Sequence, residues 1–359
     1  METVYCGVDL HYGKSTFRFL DETGTTKQAV EIRTEKAEIE RLLNCYKTNG
    51  IAYAFEAGNM ATYFHRIVSQ MPNTQKIHVV HPYKFKVISE SKHKNDKEDS
   101  LKLAKGLLKD YLPAPVYIKS EICRQIKFLL NIRRRMVGAR AKLILQAKSV
   151  LRSLGVKESQ RSLTTAKGFA RVVGSLANEP FYRQMMETLS TECSMEAKKI
   201  EDTEQQIMTL INQNFPQEYE LLNTIPGISF VTSATIISVV DEIKRFERAG
   251  QFSSYCGLVP SEHSSGEKIR HGRITKEGVK ELRWLFTQSA WVIIRFKKGR
   301  DARMDKMKKK FYRLSCKQKS TAKAVCAIAR HLSRIVFGIL KNNTPYCGDL
   351  TNKAKACCQ

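Results

Sequence analysis

The chain has 359 residues, 42% of them hydrophobic, and carries 61 Lys and Arg against 35 Asp and Glu, a formal net charge of +26. The length predicts two or three domains with real cores, and the charge predicts a polyanionic partner, nucleic acid ahead of a membrane surface. There is no apolar run of about 18 residues that would span a membrane, and no basic region followed by an apolar stretch at the N-terminus, so the expected compartment is the cytoplasm, a prokaryotic cytosol, with no membrane partner.

Residues 4–10 and 16–21 read as two short strands, joined by the turn chemistry of HYGKS into a β-hairpin. EKAEIERLLNCYKTNG places Ile39, Leu42, Leu43 and Tyr46 at helical spacing, with Gly50 as a stop. IAYAFEA reads as a third strand, MATYFHRIVSQM as a helix, KIHVVHP as a strand ended by Pro82, and NDKEDSLKLAKGLLKDYL as a helix with Leu101, Ala104, Leu107 and Leu108 on one face. The order strand, strand, helix, strand, helix, strand, helix predicts an α/β domain over residues 1–117. Residues 118–218 read as a helical coiled-coil linker. Between Lys119 and Arg152 there are ten basic residues and one acid, and Arg133, Arg134 and Arg135 are candidates for nucleic-acid contact, a solvated face being the plainer alternative. A second helical stretch, 180–214, carries Ile200, Ile207, Leu210 and Ile211 and suits a hairpin or an oligomerisation coil.

Residues 219–342 read as a mainly α domain. LLNTIPGISFVTSATIISVV resembles a helix-hairpin-helix element in which Gly227 lets backbone amides approach a phosphate; an ordinary tight turn is the alternative. From Arg295 onward there are 18 basic residues and three acids, read as helices with basic faces and a tail over 343–359. The ten cysteines are scattered with no C-x-x-C pair, which argues for reduced thiols rather than a zinc ribbon or a disulfide framework.

Two sets of residues carry chemistry. Asp9 lies on the first strand, Glu56 on the third, and Asp96 and Asp99 stand three apart at a helix start. Singly each has a structural reading: a turn cap for Asp9, a helix cap and first-turn charge for the two later acids. As a set in this order, on a mixed sheet, they have the pattern of a ribonuclease-H-like fold, whose acids hold Mg²⁺ through hard oxygen ligands. The second set is HSSGEKIRHGRITK, a loop with Ser264, Ser265, Lys268, Arg270, Arg273 and Lys276. Its chemistry suits a phosphate-binding loop more readily than a nucleophile, since serine needs activation.

VYCGVDLHYGKS, AFEAGNMATYFHRIV, VVHPYKFKVISESKHKNDKEDSLKLA, TIPGISFVTSATIIS and FSSYCGLVPSEHSSGEKIRHGRITKEGVKELRWLFTQSAW together resemble the blocks of the DEDD-type insertion-sequence transposases, a family that includes pilin-gene invertases and bridge-RNA-guided recombinases. The resemblance runs from residue 4 to about residue 340. It implies a RuvC-like N-terminal domain, a coiled-coil linker and a mainly α C-terminal transposase domain. It implies that Asp9, Glu56, Asp96 and Asp99 hold Mg²⁺, and that Ser265, with Ser264 one residue away, is a nucleophile that links covalently to DNA. Its implied partners are donor and target DNA, a structured non-coding bridge RNA, and further copies of the chain in a homo-oligomer, a dimer of dimers. Thr275 stands where the family more often has serine, and Ser100 where a small apolar residue is expected.

Overall fold

The computed structural model describes residues 2–88, 96–159, 162–262, 271–295 and 301–348, for a few of which, Asp96 included, the backbone alone is described. The chain divides into two compact units, Met1–Ile118 and Lys119–Gln359.

The first unit holds a five-stranded mixed sheet: β1 (Thr3–Leu10), β2 (Lys14–Leu20), β3 (Thr26–Arg33), β4 (Gly50–Glu56) and β5 (Thr74–Val80), in the spatial order β3-β2-β1-β4-β5. The first three strands form an antiparallel meander, whereas β1, β4 and β5 run parallel. Between the strands come α1 (Lys36–Asn44) and α2 (Ala61–Val68), and after them α3 (Pro82–Ile88) and α4 (Asp96–Leu108). Strands buried on both faces read as near-continuous apolar runs, and β4 (GIAYAFE) is buried up to its last residue.

Its two faces feed two cores. Val4, Cys6, Val8, Ile51, Tyr53 and Phe55 pack with α1 and α2 around Phe64. Ala52, Ala54 and Val80 pack with Phe85, Leu103 and Leu107 on the other side. The strand and helix order expected from the sequence lacks β3 and α3. TKQAVEIR is an edge strand whose apolar and polar alternation is broken by Gln28 on an inward position and Ala29 on an outward one. Pro82, read as a strand stop, also opens α3, where a missing N–H removes no bond.

The second unit is mostly helical. It begins with α5 (Glu121–Ser153), followed by α6 (Ala166–Ser175), α7 (Pro180–Asn214), α8 (Pro216–Asn223), α9 (Phe230–Val240) and α10 (Ala249–Tyr255). A two-stranded antiparallel pair, β6 (Pro260–Glu262) and β7 (His271–Ile274), precedes α11 (Lys280–Arg295), α12 (Ala302–Gln318) and α13 (Thr321–Asn342).

Helices α5 and α7, each roughly 50 Å long at 1.5 Å per residue, form an antiparallel hairpin. The end of α5 meets the start of α7 and α6 through Ala147, Leu151, Phe169, Met186 and Cys193. The start of α5 joins the main core through Ile126 and Leu130, beside Ile207 and Ile211. Helix α9 (FVTSATIISVV) is buried on nearly every side from Thr232 to Val240 and forms the centre of that core. Thr235 Oγ1 donates to the Val231 carbonyl at 2.7 Å and Ser238 Oγ to the Thr235 carbonyl at 3.1 Å, while Ser233 Oγ donates to Asn223 Oδ1 of α8 at 3.2 Å, so the burial leaves these hydroxyls satisfied. Asp241, at φ 60° just beyond α9, accepts from the Ser120 backbone N–H at 2.5 Å and from the Ser120 hydroxyl at 2.8 Å, tying the start of α5 to the end of α9. No helix among the described residues is long and apolar enough to cross a membrane.

Candidate active site

Side chains alternate across a strand. On β1, Val4, Cys6 and Val8 enter the core with α1 and α2, so Tyr5, Gly7 and Asp9 face the side of α4. On β4, Ile51, Tyr53 and Phe55 take the first side and Ala52 and Ala54 the second, which puts Glu56 on the α4 side as well. Val8 is in register with Phe55. Asp9 and Glu56 are therefore the next positions of two adjacent parallel strands, on one face, at the ends where the strands run out.

Helix α4 lies directly on this face. A Cβ built at Gly7 would run into the Ser100 carbonyl oxygen and the Ala104 amide, so only glycine lets the helix backbone sit this close. The far end of α4 lies at the opposite end of the sheet, where Leu108 Cδ2 is 3.4 Å from a Cβ built at Gly24, in the β2–β3 turn. The start of α4, with Asp96 as its first residue and Asp99 one turn on, is consequently at the same end of the sheet as Asp9 and Glu56.

The described side chains have partners of their own. Asp9 Oδ2 is 3.3 Å from His11 Nε2, with the carboxylate 21% exposed and the imidazole 60% exposed. His11 follows the acid in the β1–β2 turn, and its carbonyl accepts from the Thr34 hydroxyl at 2.6 Å, which holds the turn in place. The sequence reading missed this histidine; its signal was its place two residues after the acid in the turn. Asp99 Oδ1 is 3.5 Å from Lys102 Nζ. Four carboxylates suit a hard divalent cation in donor chemistry. Among the described residues no three His, Cys, Asp or Glu side chains stand close enough together to hold an ion, and the Asp96 side chain is not among those described.

In the second unit, Ser264, Ser265, Lys268 and Arg270 lie outside the described residues. The strands on either side of them are paired, Glu262 with His271 and Pro260 with Ile274. Arg273 is exposed on β7, and Lys276 is exposed at φ 58° with its carbonyl accepting from Arg283 at 2.9 Å. Gly227 turns the chain between α8 and α9 at φ +82°, and a Cβ there would stand 3.2 Å from the Ser289 carbonyl of α11, so both the left-handed backbone and the close approach favour glycine at this turn.

Of the three arginines on α5, Arg133 Nε donates to Glu204 of α7 at 2.6 Å and Arg134 pairs with Glu281 of α11, which also takes Lys127. Arg135 is exposed. No disulfide joins the cysteines among the described residues. Burial, reinforced by Asp241 and only partly offset by the Ser120 hydroxyl, pushes the Cys123 thiol up to about 12, so it is protonated and inert at neutral pH.

A DEDD transposase model of the IS110 group, described as Transposase, matches residues 6–155, and one described as Transposase IS116/IS110/IS902 family matches residues 219–305. The chain belongs to the IS110-type DEDD transposases. The transposase for insertion sequence element IS1111A of Coxiella burnetii is 27% identical over 268 residues, 71% of this chain and 69% of that protein. A probable family 20 transposase of Pseudomonas aeruginosa is 24% identical over 82% of this chain and 85% of its own length. The pilin gene-inverting protein of Moraxella lacunata is 34% identical over 150 residues, 41% of this chain and 45% of that protein. The protein is thus a DNA transposase or recombinase. The first family match covers Asp9, Glu56, Asp96 and Asp99, and the second covers Gly227, Ser265 and the basic loop.

Proposed function

We propose that this transposase cuts and rejoins DNA with Ser265 as nucleophile and with Asp9, Glu56, Asp96 and Asp99 of a RuvC-like domain as the Mg²⁺ ligands. The observation that carries the reading is the placement of Asp9 and Glu56 on one face of adjacent parallel strands, at the end of the sheet where α4 begins with Asp96 and Asp99. The strand order β3-β2-β1-β4-β5, with only the first three strands antiparallel, supports a RuvC-like fold. Functionally the chain divides into the RuvC-like domain over 1–117, the linker over 118–218, the transposase domain over 219–342 and the tail.

A divalent ion held by the four carboxylates supplies neutralising charge to the phosphate under attack. The Ser265 hydroxyl oxygen attacks the phosphorus and loses its proton. A bond from serine to phosphorus forms, and the bond from phosphorus to the 3′ oxygen breaks, leaving a 3′ hydroxyl. The 3′ hydroxyl of another strand then reverses the exchange and releases serine. Lys268, Arg270, Arg273 and Lys276 serve the same phosphate as electrostatic partners. A structured bridge RNA guides the choice of donor and target DNA, and four copies, as a dimer of dimers, hold the two DNAs.

Recombination between donor and target DNA tests the chemistry. Ser265→Ala and Asp9→Ala are both expected to abolish it, and wild-type recombination by either variant removes the role assigned to that residue. A serine-linked DNA adduct trapped by denaturation is expected from the wild type. Cleavage that survives Ser265→Ala points instead to water as the nucleophile. Sequencing of the nucleic acid that copurifies with the protein tests the guide. The likeness to the pilin gene-inverting protein favours a second reading, DNA inversion; a preparation free of a defined RNA that still recombines selects the form of it in which the protein alone reads the DNA.

A further inference from the structure

The turn that follows Asp9 is held more firmly than a connection between two strands requires. Leu10 pairs with Ser15, so His11, Tyr12 and Gly13 form the tip of the β1–β2 hairpin. Exposed loop tips are ordinarily the looser parts of a fold. Here Thr34, which follows β3, reaches across to the tip. Its backbone N–H donates to the Gly13 carbonyl at 3.1 Å, and its hydroxyl donates to the His11 carbonyl at 2.6 Å. Ser15 Oγ stands 2.8 Å from Thr34 Oγ1. Since the threonine hydrogen is committed to His11, serine is the donor in that contact. Ser15 is wholly buried and Thr34 is 7% exposed, so the two hydroxyls form a relay, shielded from water, that ends on the backbone of His11.

The imidazole is what this relay presents. At 60% exposed it adds little to the packing of the sheet, and its Nε2 lies 3.3 Å from Asp9 Oδ2. An ionised carboxylate only accepts, so Nε2 carries the hydrogen. Asp9 and His11 are two positions apart, the spacing that returns to the same side of a strand. One donor on one oxygen fixes the plane of a carboxylate, which has further lone pairs for an ion. Asp99 is held differently, by Lys102 of its own helix at 3.5 Å. The hold on Asp9 draws on β2 and on the end of β3, so the whole antiparallel meander sets the direction of one carboxylate.

We propose that His11 is a positioning residue of the metal site: clamped by Thr34 and Ser15, it orients the Asp9 carboxylate toward the divalent ion. This role rests on the reading of Asp9 as a Mg²⁺ ligand. Ligating carboxylates are themselves hydrogen-bonded, and loss of such a partner weakens metal binding by roughly 10–100-fold.

Mn²⁺ is the probe, because it takes the same oxygen donors as Mg²⁺ and its free form is counted by electron paramagnetic resonance. The full chain is titrated with it in the absence of nucleic acid. Wild type is expected to bind the ion, and Asp9→Ala to lose this site. His11→Ala is expected to weaken it by roughly 10–100-fold with an unchanged melting temperature, since the ring is exposed. His11→Gln, whose amide offers an N–H donor at about the reach of Nε2, is expected to recover most of the loss, which a merely structural role does not predict. Thr34→Val is expected to weaken binding as well, and to add little in the His11→Ala background, because the two side chains act in one chain of contacts. Wild-type affinity in His11→Ala, or a loss in His11→Gln as large as in His11→Ala, overturns the inference and leaves Asp9 as a ligand. Equal binding by wild type and Asp9→Ala removes the ligand reading itself, and the inference with it.

Discussion

Helix α5 and the α12–α13 pair are both dense in lysine and arginine, yet their cations are used in different ways. On α5, Arg133, Arg134 and Lys127 reach acids of neighbouring helices, Glu204 and Glu281, and the charge is spent inside the bundle. On α12 and α13, among the described residues, the charges that act on Lys310 and His331 are all cationic, and Arg303 lies over the Tyr346 ring rather than against a carboxylate. A count of basic residues thus does not locate a nucleic-acid surface; what counts is whether the fold supplies each cation with a carboxylate.

The strongest way to break this contrast is at Glu281. Its side chain is only 13% exposed and holds two cations, so Glu281→Gln is expected to destabilise the second unit by about 2–3 kcal/mol, less than the full penalty of splitting a buried pair because Arg134 is solvated. Urea unfolding followed by circular dichroism measures it, and an unchanged midpoint shows that the pairing on α5 is incidental. Glu204→Gln, which splits the Arg133 pair at a more exposed carboxylate, is expected to lower stability by about 0.5–1 kcal/mol in the same assay.

Arg334→Gln removes one member of the cation cluster around Lys310 and His331 and is expected to leave stability within about 0.5 kcal/mol of wild type, on the stabilising side. A clear loss of stability means that Arg334 has a structural partner and belongs with the α5 group. The smallest effect concerns pH. The protonation range of His331 is lowered in the folded chain, so as pH falls below about 6.5 the unfolded chain takes up its proton first and stability declines. His331→Gln is expected to flatten the low-pH limb of a melting-temperature profile, and a profile identical to wild type removes His331 from the cluster.

Much of this architecture was legible in the sequence. The hairpin of β1 and β2, the apolar run of β4 and the helical spacing of α1, α4, α5 and α7 follow from periodicity alone. The two-strand edge of the second unit was not legible, because β6 and β7 are three and four residues long and offer too few alternations. The candidate acids were visible as residue types in a given order. Their common face was not, because it depends on the parallel register between β1 and β4, and a register between strands more than 40 residues apart leaves no local mark. The pairing of Arg133 and Arg134 was hidden for the same reason, since both acids lie on distant helices.

The tight seat of α4 on Gly7 has one more consequence, and it concerns insertions and deletions. Because strand positions alternate in parity, Gly7, Asp9 and the helix above them share an odd frame, while Val4, Cys6 and Val8 share the even one. Losing a single residue between Gly7 and Asp9 shifts the acid to the opposite face and into the apolar layer, even though every carboxylate is still encoded. For this strand a frame shift of one position is as severe as deleting the acid, so the first ten residues of the chain behave as a ruler whose spacing matters as much as its letters.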